Sequence, residues 1–154
     1  GEQERGYRAG TEAIHNIIGL DTALKLSCNN LEEEQNYIKS LKHYFIQTLQ
    51  SKIPNIHFNG ASADFEKSTY TLVNVCLPVS KEKAAMLLFQ LDLKGIAASS
   101  GSACQSGGIK VSHVLKEFLE EDELQKTSIR FSFSDNSTNE EVDFLIETIN
   151  SLLV

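Results

Sequence analysis

Two stretches of alternating residues most constrain what this chain can fold into. Thr69 to Leu77 alternates and is rich in Thr, Val and Tyr. Ser128 to Phe133 sets Ile129, Phe131 and Phe133 against Ser128, Arg130 and Ser132. A side-chain period of two is that of a strand with one face buried and the other polar. Helical patterns lie before, between and after these strands, without a strict strand–helix–strand rhythm. The pattern therefore predicts an α+β fold, a small sheet of four mostly antiparallel strands with helices on one face.

The rest of the chain fills in around that sheet. Residues 1–11 carry three glycines and read as a loop, with Thr11 as an N-cap. Ile14, Ile17, Ile18, Leu20, Leu24 and Leu26 then predict a largely buried helix. Cys28-Asn29-Asn30 is a break, and Asn30 with Glu33 resembles a capping box. A second helix presents Ile38, Leu41, Phe45, Ile46, Leu49 and Ile53 on one side and ends at Pro54. Asn55 to Asn59 reads as a short strand closed by Gly60, and Pro78 is expected to stop the strand before it. Ser80 opens a helix over 81–91 that Lys94-Gly95 closes, and Ile96 to Ser99 reads as the fourth strand. Val111 to Glu120 is amphipathic, and the run Glu120 to Glu123 suits a solvated helix end. Ser137 or Thr138 caps a last helix whose first turn holds Glu140 and Glu141, matching the helix dipole.

Composition narrows the function classes. Twenty-one acidic residues against 14 basic ones leave a formal charge of −7, which argues against nucleic acid as a partner, since phosphate binding needs clustered Lys and Arg. No apolar run approaches the roughly 20 residues that span a bilayer. The first residues are charged and lack the apolar region of a signal peptide. Three cysteines, Cys28, Cys76 and Cys104, are too sparse for a disulfide framework and suggest a reducing compartment, hence a cytoplasmic location. Cys28 and Cys76 fall in predicted helix and strand and are expected to be buried and inert.

Cys104 differs. It lies in Ala98-Ser99-Ser100-Gly101-Ser102-Ala103-Cys104-Gln105-Ser106-Gly107-Gly108, a run of small residues expected to be mobile. From composition alone the run fits either a surface loop with an incidental cysteine or a loop that carries a reactive thiol to its target.

Three blocks of sequence bear on that choice: Gln3-Glu4-Arg5-Gly6-Tyr7-Arg8-Ala9-Gly10-Thr11, Ser100-Gly101-Ser102-Ala103-Cys104 with Ser112-His113-Val114-Leu115, and Ser128-Ile129-Arg130-Phe131-Ser132-Phe133. In this order they resemble the cysteine desulfurases, pyridoxal-phosphate enzymes of the class V aminotransferase type. The resemblance implies the C-terminal small domain of a fold-type I enzyme over 31–154, with 1–30 joining it to a cofactor domain. It implies Cys104 as the nucleophile that takes sulfur from L-cysteine, leaving alanine and a persulfide. Arg130 is implied as the binder of the substrate carboxylate, and Thr11 as a contact to the cofactor phosphate of a partner subunit. A homodimer and a sulfur-acceptor or scaffold protein are implied as partners, serving iron–sulfur cluster or thionucleoside synthesis.

Arg5 and Arg8 fit the site, the dimer interface or plain solvation. His113 is expected to be structural, and with Cys104 it makes a poor metal pair. Glu2, Gln105 and Asp135-Asn136 depart from the family's usual residues. A Ser-x-His-Lys block, which in the family holds the cofactor lysine, does not occur in the 154 residues. The chain thus reads as a portion of the enzyme that is inactive alone. A sulfur-carrier module working without cofactor, and a selenocysteine lyase, are the competing readings.

Overall fold

The computed structural model describes residues 1–100 and 112–153. The chain divides into two compact units, Gly1–Glu34 and Gln35–Val154. The first begins with a single 3-10 turn, Gln3–Gly6, in which Glu4 and Arg5 adopt left-handed angles. Helix α1, Ile14–Asn29, follows. Its N-cap is Ala13 and not Thr11, so the expected cap is absent. α1 is also not buried: Leu20 is 72% exposed and Leu26 69%, and every residue of the helix is exposed. Its apolar residues lie all round the helix, and burying them needs neighbours that this unit does not contain. Cys28, on α1, is therefore exposed and not buried as expected.

The second unit carries the sheet. Helix α2, Leu31–Lys52, begins beyond the break at Asn30 and continues into this unit. After Ile53 and Pro54 the chain turns at Asn55, whose φ of 60° an asparagine tolerates. Strand β1 is only His57–Phe58. Strand β2, Leu72–Ser80, is longer than expected and passes through Pro78. The register slips between Leu77 and Ser80, and at such a bulge a residue without an N–H breaks no ladder bond. Helix α3 is Ala84–Leu93, preceded by a 3-10 turn over Lys81–Lys83. The amphipathic stretch before Glu120 forms no long helix where it is described. It holds a 3-10 turn at Leu115–Glu117, and the short helix α4, Glu121–Leu124, starts afresh from a Glu120–Glu123 capping box. Strand β3 is Lys126–Ser132 and helix α5 is Asn139–Leu153. Thr138 and Glu141 cap α5 reciprocally: the Glu141 N–H donates to Thr138 Oγ1 at 3.2 Å, and the Thr138 N–H donates to Glu141 Oε2 at 3.0 Å.

Among the described residues the sheet has three strands in the order β1-β2-β3, both pairs antiparallel. The fourth strand expected at Ile96–Ser99 is reduced to one isolated bridge, Ser99 with Arg130. α3 ends at Gly95 in a left-handed turn, with the Gly95 N–H on Asp92 O and the Ile96 N–H on Leu91 O. That leaves a few residues in which to approach β3, and among the described ones only Ser99 pairs.

One sheet face and three helices make the core. Val73, Val75 and Leu77 of β2, and Ile129 and Phe131 of β3, pack against Phe45 and Leu49 of α2, Leu87 and Leu91 of α3, and Ile146 and Ile149 of α5. The Phe45 ring meets Phe131 at 5.5 Å and Phe133 at 5.3 Å between centroids. The side-chain period of two that buries this set necessarily turns Asn74, Cys76, Ser128 and Arg130 to the other face.

Candidate active site

That second face carries the chemistry-bearing residues of the sheet. Arg130 stands on β3 with Asn74 of β2 as its cross-strand neighbour. The Arg130 N–H donates to Ser99 O at 2.7 Å, and the Ser99 N–H donates to Arg130 O at 3.2 Å. Both backbone groups of Arg130 thus face Ser99, which ties the start of the serine-rich run to the strand that holds the guanidinium. Cys104, five residues beyond Ser99, lies outside the described residues, as does the mobility expected of its loop.

Beside Arg130 is a polar cluster that a reading of the sequence missed. Asn59, 6% exposed, reaches from the end of β1 across two strands. Its Nδ2 donates to Asn74 Oδ1 at 3.0 Å and to Ser128 Oγ at 2.9 Å. Its N–H donates to Asn74 O at 2.9 Å. Ser62 Oγ donates to the same carbonyl at 3.0 Å. The signal was present as Asn59-Gly60, a turn dipeptide after a short strand, but nothing local shows that the asparagine points inward. Gly60 takes φ +57° there, and the Phe118 ring lies 3.5 Å from where a Cβ would stand, an ordinary contact, so it is the left-handed backbone that favours glycine.

Cys76 is on this face too, 1% exposed, in register with His57 and Ser128. Burial pushes its thiol above the usual range, partly offset by the charge of Lys126. A buried, protonated thiol is a poor nucleophile. His113 is exposed, and among the described residues no group of three or more His, Cys, Asp or Glu could hold a metal ion.

Thr11 lies in the first unit, exposed, and its hydroxyl makes no hydrogen bond among the described residues. Arg8 braces the same loop, donating from Nη1 to Gly10 O at 3.0 Å and pairing with Glu12. Lys42 is another residue the sequence did not single out. It is fully buried, and its Nζ donates to Ser68 Oγ and Thr69 O, each at 2.8 Å, and lies 5.2 Å from the centre of the Phe65 ring. Burial pushes its ammonium below the usual lysine range, against the attraction of Asp64.

Taken one at a time, two of these residues have chemistry that suits groups a pyridoxal-phosphate enzyme binds. A guanidinium suits the carboxylate of a bound amino acid, and a free hydroxyl beside an open glycine turn suits a phosphate. The buried Lys42 is not available for a covalent bond to the cofactor, since its amine is committed to Ser68 and Thr69.

Comparison with known proteins gives this arrangement its context. The family model described as "Aminotransferase class-V" matches residues 1–145. The chain belongs to the class-V aminotransferase family. It is 37% identical over 153 residues to a "Cysteine desulfurase" of Gluconacetobacter diazotrophicus, which covers 99% of this chain and 37% of that protein. It is 32% identical over 151 residues to "Cysteine desulfurase IscS" of Pseudoalteromonas translucida, covering 98% of this chain and 36% of the relative. Among solved structures, a NifS-like protein from Rickettsia africae superposes with a TM-score of 0.78 at 28% identity, over 99% of this chain and 38% of that one. The chain thus spans less than two fifths of the length of these relatives. No described helix is long and apolar enough to cross a membrane.

Proposed function

We propose that this chain is part of a cysteine desulfurase, with residues 31–154 as its small domain and 1–30 as the segment that joins it to a cofactor domain. The observation that carries the reading is the two-way backbone bond between Ser99 and Arg130, at 3.2 and 2.7 Å. It ties Ser99, which precedes Cys104 by five residues in sequence, to the strand that carries Arg130 on its polar face. The names of relatives matching nearly the whole chain support the same reading.

In this reading Arg130 receives the α-carboxylate of L-cysteine in a bidentate, charge-assisted pair. Thr11 would offer its hydroxyl to the phosphate of the pyridoxal phosphate bound by the partner subunit. That cofactor, when bound, supplies an electron sink for the amino acid's bonds. The Cys104 thiolate attacks the substrate sulfur, so an S–S bond forms as the substrate's C–S bond breaks. The electron pair of the broken bond stays with the carbon skeleton and takes up a proton, giving alanine. Cys104 keeps the sulfur as a persulfide and passes it to a thiol of an acceptor or scaffold protein. The parent protein is taken to be a cytoplasmic homodimer, consistent with free Cys28 and Cys76.

The test uses the complete, cofactor-loaded protein. Cys104→Ala should abolish persulfide, seen by mass spectrometry, while L-cysteine still perturbs the cofactor's absorbance. Arg130→Ala should lower kcat/KM about 10- to 100-fold, and Arg130→Lys should remain impaired because it keeps the charge and loses the fork. Persulfide formed in Cys104→Ala, or unchanged kcat/KM in Arg130→Ala, would overturn the assignment. The 154 residues alone should release no sulfide from cysteine above the rate of cofactor alone.

A further inference from the structure

Arg130 does not stand alone on its face of the sheet. Because both of its backbone groups face Ser99, they are turned away from β2, so Asn74 and Arg130 form a non-hydrogen-bonded cross-strand pair. In such a pair the Cα atoms approach to about 4.5 Å and the side chains lie closest. The Asn74 amide is held one way round. Its Oδ1 accepts from Asn59 Nδ2 at 3.0 Å, and Asn59 is itself locked by a second bond to Ser128 Oγ at 2.9 Å. Asn74 therefore presents its NH2 group away from Asn59. Asn74 is half-buried, and its NH2 group has no acceptor among the described residues. An amide donor so fixed, on a residue paired across the strands with an arginine on the same face, suits an anion with two oxygens.

We propose that Asn74 is a second donor to the carboxylate that Arg130 holds, and that Asn59 is a positioning residue that keeps the Asn74 donor turned outward. This rests on the reading of Arg130 given above.

The experiment measures equilibrium binding, so turnover does not enter. In the complete, cofactor-loaded protein carrying Cys104→Ala, calorimetry compares L-alanine with L-alaninol, which lacks the carboxylate. Asn74→Ala should weaken L-alanine about tenfold, the scale of a hydrogen bond to a charged group, and alter L-alaninol less than twofold. Asn74→Asp should weaken L-alanine more, since it sets a like charge beside the carboxylate. Asn59→Asp should also weaken L-alanine selectively, because a carboxylate there accepts and so draws the Asn74 NH2 to itself. Equal losses for both ligands would mean a merely structural role and would overturn the proposal, as would unchanged L-alanine binding in Asn74→Ala. Arg130→Ala separates the two levels. If it weakens L-alanine selectively while Asn74→Ala does not, only the second donor fails. If Arg130→Ala is also without selective effect, the reading of Arg130 has failed.

Discussion

Replacing Lys42 tests how the segment leading into β2 is held. The Lys42 amine donates to Ser68 Oγ and Thr69 O, and Ser68 Oγ in turn donates to Asp64 O at 2.6 Å, so one buried group fastens the residues just before β2. Lys42→Ala leaves the Thr69 carbonyl without its donor, at about 1–3 kcal/mol. It also removes three buried methylenes, worth about 2.4 kcal/mol at roughly 0.8 kcal/mol per CH2 before the surroundings relax. Relief from burying a charge offsets part of this, which leaves about 2–4 kcal/mol. Lys42→Met keeps the stem and drops the charge, so about 0–1.5 kcal/mol is expected. Native-state hydrogen exchange of the β2 amides Val73 to Leu77 in the complete protein reports these losses as local opening free energies. Equal effects below about 0.5 kcal/mol for both variants would show that neither the amine's bonds nor the stem holds this segment. A pH slope gives a second readout. Burial lowers the folded pKa, so below the unfolded value of about 10.4 the unfolded chain binds the proton more tightly. Stability should therefore rise with pH through that window, and Lys42→Met should flatten the rise.

Three further outcomes follow from the packing. Phe45, fully buried between Phe131 and Phe133, should cost about 3–5 kcal/mol as Phe45→Ala, measured by the same exchange experiment on β3 amides. Cys76 should resist iodoacetamide at pH 8 in the native protein and react on denaturation, since burial keeps its thiol protonated; rapid labelling of native Cys76, read by peptide mass, would contradict the burial. Its raised folded pKa also means that Cys76 loses stabilising effect as pH climbs above about 8.5, where the unfolded thiol ionises.

The sheet's two long strands were legible because alternation is a local signal. Each of Val73, Val75, Ile129 and Phe131 is buried where a period of two puts it, and Arg130 is on the opposite face. The helices α2, α3 and α5 were legible for the same reason at a longer period, and so was the glycine that ends α3. The motif order was enough to indicate the family. What depended on partners distant in sequence was not legible. The Ile96–Ser99 strand required a ladder against β3, and only the Ser99 bridge formed. The amphipathic stretch before Glu120 had the right spacing for a helix, but its described part yielded to a turn and a fresh cap. α1 has the composition of a buried helix, yet burial is a property of neighbours, and its residues are exposed. Lys42 and Asn59 are ordinary polar residues in sequence. Only the fold brings Ser68 and Thr69 to the one, and Asn74 and Ser128 to the other. A buried polar group is tolerated only when its partners are supplied, and those partners come from 15 to 69 residues away. Residue identity thus decided which side chains could act as donors, thiols and apolar knobs. The tertiary structure decided which of them meet, because cross-strand register and loop return are set by the whole core and not by any single segment.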